Sequence, residues 1–272
     1  MFNRAIFWKT WRDSSPIFIA AAIGMTAFVV LFVQSMFSLG TELMEFVSKF
    51  EFLAKIFEFG FGIDPSGEVS LTILFTACFT HAMILLISWS TIIATTTRVT
   101  AGEIEKGTAD LLLSLPVTRR EVYLSTSLVW LLSAMILAVC PVMGVWIGLQ
   151  VFETEEAILI RRFFPPAVNF FFVLIAVGGI SSMFASLVDR RGLAIALIAG
   201  FLISSVVLNF VEPFIPVLSK IRWLGLLSYF RPVDVVRSGE WPWFAFGSLF
   251  AIGAVTWAFG MTVFCRRDIP TA

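Results

Sequence analysis

Six apolar runs set the rhythm of this chain, at residues 16–39, 69–97, 124–150, 163–188, 193–211 and 244–264. A helix needs about 20 consecutive apolar residues to cross roughly 30 Å of hydrocarbon, so each run is read as a membrane-spanning helix. Ahead of the first run, Phe7, Trp8 and Trp11 fall within an arc of about 100° at the helix period, with Arg4 inside that arc. Residues 2–13 are therefore expected to form an interfacial helix lying along a leaflet. Residues 41–57 follow the same period, with Leu43, Phe46, Val47, Phe50, Leu53 and Phe57 on one face and Glu42, Glu45, Lys49, Glu51 and Lys55 on the other. The spacing predicts one amphipathic helix, helped by the i,i+4 pairs Glu45–Lys49 and Glu51–Lys55. Residues 212–242 are too broken by Pro213, Pro216, Pro232 and Pro242 for a span and too apolar for a free loop. Short helices in an outer re-entrant segment are expected there.

Between the second and third runs lies a charged segment. Thr108 can cap a helix whose first turn holds Asp110, where a carboxylate suits the positive end of the helix dipole. Leu111, Leu112 and Leu113 would form its ridge, and Pro116 stops it. Thr118 and Glu121 have the spacing of a capping box, which opens a second helix running directly into the third span. A short capped helix with a leucine ridge, flanked by Glu103, Glu105, Lys106, Arg119 and Arg120, is shaped to dock on something.

Composition fixes the class: 58% of residues are hydrophobic and only 14% charged, too few charges for a solvated surface of this length. Charge placement then orients the chain. The N-terminal segment, residues 98–123, the Asp189-Arg190-Arg191 turn and the C-terminal tail hold 11 basic and 7 acidic residues, against 8 and 12 in the other three connections. Both termini and the charged helix-turn-helix are thus expected in the cytoplasm, and topology alone explains the basic side, so nucleic acid is not an expected partner. Arg4, Lys9 and Arg12 precede a run too long for a signal peptide, with no Ala-x-Ala-like site after it, so the first span is expected to be retained.

Several chemistries are missing. There is no phosphate-binding Gly-x-x-x-x-Gly-Lys-Ser/Thr loop, His-Glu-x-x-His or Gly-x-Ser-x-Gly motif. Cys78, Cys140 and Cys265 are widely spaced and read as small apolar residues, so neither a metal nor a disulfide is expected. The spans contain no Asp, Glu, Lys or Arg, which argues against an ion-coupled carrier with its own relay. The single histidine, His81, is read either as a relay or substrate contact or, preferred here, as a packing residue hydrogen-bonded to a neighbouring helix. Thr72, Thr76 and Thr80 form one polar stripe on the second span, and His81, Ser88 and Thr95 lie close to another. With Ser204, Ser205 and Asn209 on the fifth span, Thr76, Thr80, His81 and Ser88 are candidates for a substrate path. Asn169 is a further polar position, and Gly178, Ser182 and Ser186 read as a small-residue helix contact.

The residues now carry a family resemblance. The opening Glu103-Ile-Glu-Lys-Gly-Thr108, the core Leu112-Leu-Ser-Leu-Pro116 and the close Thr118-Arg-Arg-Glu121 resemble the signature between the second and third spans of ABC-2 type transporter permeases. Six spans, Ser186-Leu-Val-Asp-Arg-Arg191 and Leu227-Ser-Tyr-Phe-Arg-Pro-Val-Asp234 agree with that family over nearly the whole chain; Ser125-Thr126 departs from the Gly-Lys of many relatives. The resemblance implies an all-α, type V exporter-like permease of the inner membrane. It would pair with a second permease, identical or related, and with two cytoplasmic ATPases that bind the ATP and magnesium this chain does not. Glu103, Glu105, Lys106, Gly107, Thr108, Leu111, Leu112, Leu113, Pro116, Arg119, Arg120 and Glu121 would then couple it to the ATPase. Export is the implied direction, with drugs, lipids, peptides or glycans equally suited as substrates. A non-transporting membrane subunit whose ATPase works on envelope assembly is the alternative, while an intramembrane enzyme centred on His81 lacks a nucleophile or metal-ligand set.

Overall fold

The computed structural model describes residues 3–65, 67, 69–105, 107, 117–152 and 157–267. Among them the chain is helical, with no strand. Six stretches are long and apolar enough to cross a membrane: Arg4–Gly40, Leu71–Val99, Arg119–Val151, Ile160–Leu187, Arg191–Val211 and Trp243–Arg266. They match the six apolar runs in number and order.

The first helix, α1 (Arg4–Ser48), is a single helix of 45 residues, about 67 Å long at 1.5 Å per residue. The separate interfacial helix expected at residues 2–13 is not observed; residues 4–13 are the first turns of α1. The reason is a buried stripe that runs through the proline: Ile6, Thr10, Ser14, Phe18, Ala21, Met25, Val29 and Val33 are all buried, three or four residues apart. One continuous helix keeps that stripe against the bundle. Pro16 removes the amide that would bond to the Arg12 carbonyl, and the Ser15 hydroxyl donates to that carbonyl instead, at 3.0 Å.

The amphipathic helix expected at residues 41–57 is also divided. α1 runs on to Ser48, Phe50 is extended, and a second helix, α2 (Glu51–Phe61), ends at Gly62 with a left-handed φ of 72°. The expected ion pairs form within these two helices, Glu45–Lys49 at 2.9 Å and Glu51–Lys55 at 2.6 Å. Hydrogen bonding to each lysine, then its charge, holds both glutamates below the usual carboxylate range.

The second span is broken where no proline or glycine announces it. α3 (Leu71–Thr76) passes into a 3-10 turn at Ala77–Thr80, His81 is extended at φ −63° and ψ 134°, and α4 (Ala82–Val99) begins afresh. Side chains make the break tolerable in an apolar setting. Thr76 donates to the Thr72 carbonyl at 2.7 Å, Thr80 donates to Ala77 at 3.1 Å, and His81 Nδ1 accepts from the Met83 amide at 3.2 Å.

The short α5 (Ala101–Glu105) is followed by α6 (Arg119–Val151), α7 (Phe164–Leu187), α8 (Arg191–Val211), α9 (Pro232–Ser238) and α10 (Trp243–Arg266). α7 is apolar on every side and forms the central column, about 72% buried over its span window, whereas α8 and α10 are about 22% buried and peripheral. Small residues let its neighbours approach. A methyl group at Gly253 of α10 would lie 2.8 Å from the Ile175 carbonyl oxygen of α7, and one at Gly148 of α6 would lie 2.9 Å from Val33 of α1. Gly178 faces the Trp130 ring, so the small-residue ridge read from the sequence is a helix contact. Residues 212–238 form short helices: three 3-10 turns at Glu212–Phe214, Pro216–Leu224 and Leu226–Tyr229, then α9.

Candidate functional site

The described ends of the chain, Asn3 and Arg267, both bond to the first turns of α6, at the same end of the bundle as Arg119, Arg120 and Glu121, three of the residues read as coupling. The Asn3 amide donates to Ser125 Oγ and the Ser125 hydroxyl returns a bond to the Asn3 carbonyl, both 3.2 Å, tying the start of α1 to α6. Ser125, a departure from the family signature, thus has a structural task here. Arg119 donates to the Arg267 carbonyl, and Arg267 in turn pairs with Asp189 and donates to the Ser186 carbonyl at 2.9 Å. A cation on the last carbonyls of α7 is well placed against the negative end of that helix.

The expected capping box is present. The Glu121 amide donates to Thr118 Oγ1 at 3.2 Å, and Glu121 Oε2 accepts from the Thr118 amide at 2.9 Å. Upstream, Gly107, two residues past the end of α5, has a φ of 67° that favours glycine, and its amide donates to the Ile104 carbonyl at 3.0 Å. Arg120 is exposed. Lys106, Thr108, Leu111, Leu112, Leu113 and Pro116 lie outside the described residues, so the short helix expected over the leucine ridge does too.

What flanks this segment is anchored on both sides. Lys9 pairs with Glu103 at 3.4 Å, and Arg98 donates to the Asp13 carbonyl at 2.6 Å, so α1 holds the end of α4 and the start of α5. Glu105 reaches the fifth span. Its Oε2 accepts from the Arg191 amide at 2.8 Å, satisfying one of the unpaired amides that open α8, where Arg190 supplies no side-chain cap. A carboxylate there also suits the positive end of the α8 dipole. The Arg191 side chain turns back to Thr97 Oγ1 and the Ala94 carbonyl, each at 3.3 Å, closing a loop between α4, α5 and α8. The sequence marked Glu105 and the Asp189-Arg190-Arg191 turn separately but gave no signal that they meet.

The candidate path residues are dispersed. Thr76 and Ser88 are fully buried, their hydroxyls spent on carbonyls one turn back, at Thr72 and at Ile84 and Leu85. Thr80 is half-buried in the 3-10 turn. Ser204 is exposed and bonds to Gly200, Ser205 is buried and accepts from the Leu226 amide at 2.8 Å, and Asn209 is half-buried. His81 caps its own helix, not a neighbour; its ring packs on Phe28 at 4.7 Å and Phe32 at 5.7 Å beside an apolar cavity of 190 Å³. Among the described residues no group of histidine, cysteine and acidic side chains could hold a metal.

Comparison with known proteins adds the decisive observation. The family described as multidrug efflux system permease Rv1217c, C-terminal domain, matches residues 10–265. The chain belongs to that family. No curated protein compared with the chain matches it. Membership together with six apolar helices makes this a multi-pass membrane protein of the transporter permease class.

Proposed function

We propose that the chain is the membrane-spanning permease of an ABC-2 type exporter, driven by ATP hydrolysed in separate cytoplasmic subunits, with both termini cytoplasmic in the inner membrane. The family name describes one domain of an efflux permease; in this reading the chain pairs with a second permease half, supplied by an identical or related chain. Substrate moves outward. The single observation that carries the coupling role is the anchoring of the residues on either side of 106–116. Lys9, Glu103, Glu105, Arg119 and Arg191 connect its two flanks to α1, α4, α6, α8 and the C-terminal turn. A push on the leucine ridge would reach several spans at once, because packed helices shift as rigid bodies rather than deform.

The test is the double variant Leu112→Asp, Leu113→Asp. If these leucines enter a groove on the ATPase, two unpaired carboxylates there weaken the contact by about a hundredfold or more, on the order of 3 kcal/mol. The spans are untouched, so the variant should reach the membrane at near-normal level yet fail to co-purify with the ATPase or stimulate its turnover. A double variant that still binds and stimulates the ATPase removes the coupling assignment.

A further inference from the structure

At the end of the bundle away from the termini, the short helices of residues 212–238 and the start of α10 enclose a cleft of 740 Å³. Its walls are aromatic: Trp223, Tyr229, Trp241 and Phe244 line it, and Phe244 and Trp223 are 81% and 63% exposed. Trp241 is held in a near-parallel stack on Trp243, with centroids 6.0 Å apart, and the Tyr229 hydroxyl donates to the Trp223 carbonyl at 3.2 Å. The charged residues of the lining balance. Arg231 pairs with Asp234 at 3.8 Å, and Arg222 and Glu240 bring one further charge of each sign.

An aromatic belt at a membrane interface would account for the rings. It does not account for Asn169. This side chain, on α7, is 1% exposed and forms part of the cleft wall. Its Nδ2 donates to the Tyr229 carbonyl at 3.1 Å, which fixes the amide, while Oδ1 is buried without a hydrogen-bond partner. A buried acceptor left unpaired is costly, and pockets that orient a ligand characteristically place a few polar groups among apolar walls.

We propose that this cleft is a binding site for a flat aromatic amphiphile bearing an amino donor, its rings against Trp241 and its N–H on Asn169 Oδ1. The balanced charges leave ring area and the donor as the recognised features. The site lies far from the terminal cluster and takes from the efflux reading above only the premise that such a molecule is cargo.

A matched pair of fluorescent probes tests it. Proflavine carries two donating amino groups on a three-ring body, and acridine orange is the same body with those groups fully methylated. Each is titrated by fluorescence polarisation against the full chain in lipid nanodiscs, with empty nanodiscs as the baseline. The native chain should bind both saturably, proflavine the tighter. Trp241→Ala should weaken both about five- to tenfold, since each loses the same ring contact. Asn169→Leu should weaken proflavine about five- to tenfold and leave acridine orange within about twofold, so acridine orange also reports that the variant is folded. No saturable binding to the native chain, equal effects of Asn169→Leu on both probes, loss of both, or no effect on either would each overturn the assignment. Binding is read without an ATPase, so a failure of the exporter reading would leave these titrations unmoved, and transport by a chain whose titrations fail would count against the cleft alone.

Discussion

Glu105 shows how one side chain can serve two elements. It closes α5 and caps α8 from outside, an arrangement in which the donor is a backbone amide and the partner's side chain is irrelevant to the bond. Glu105→Gln keeps an acceptor oxygen and should be mild. Glu105→Ala removes the cap, at a cost of about 0.5–2 kcal/mol, and cuts the link between the proposed coupling segment and the fifth span. The expected result is an ATPase that still co-purifies with the Glu105→Ala chain but is stimulated several-fold less, with the Gln variant close to native. Equal stimulation by the native and Ala chains would reduce the bond to a helix cap. His81 is a contrasting case: its place in mid-span drew attention to proton chemistry, yet its geometry is that of an N-cap with aromatic neighbours.

At the scale of elements, the contact between α7 and α10 decides whether the bundle closes. It depends on backbone approaching backbone, because Gly253 leaves no room for a side chain beside the Ile175 carbonyl. Gly253→Val should destabilise the chain by about 1–3 kcal/mol or more, as overpacked contacts do. Gly247→Ala, six residues earlier on the same helix with nothing within 4 Å of the added methyl, should be neutral. Thermal unfolding in detergent followed by tryptophan fluorescence separates the two; equal melting temperatures would contradict the packing described. The broken second span follows the opposite logic, gaining irregular backbone at Ala77–His81 because threonine hydroxyls and an imidazole supply the bonds that the helix gives up.

For the whole molecule, the testable quantity is orientation. Cys78, Cys140 and Cys265 can be replaced, the first two being buried, and single cysteines placed at Glu105 at the terminal end or at Glu51 at the opposite end. A membrane-impermeant maleimide on intact cells should label the Glu51→Cys chain and spare the Glu105→Cys chain until the membrane is permeabilised. The reverse pattern would invert the molecule and move the proposed coupling segment to the wrong side for a cytoplasmic ATPase.

What the sequence determined by itself were the quantities set by local free energies. Hydrophobic runs long enough to span, the excess of basic residues at one set of connections and the Thr118–Glu121 box each depend on residues close in the chain, and all three are read without knowing what lies beside them. Tertiary structure decided the rest. Whether residues 4–13 lie along a leaflet or continue into α1 turned on the stripe from Ile6 to Val33 finding partners on α4 and α6, and the break at His81 depended on bonds that no breaker residue signals. Glu105 and Arg191 are 86 residues apart, and Asn169 and Tyr229 are 60 apart. Such pairings are chosen by the packing of the whole bundle, where an unmet polar group in an apolar interior is costly, and no periodicity in either partner's own segment encodes them.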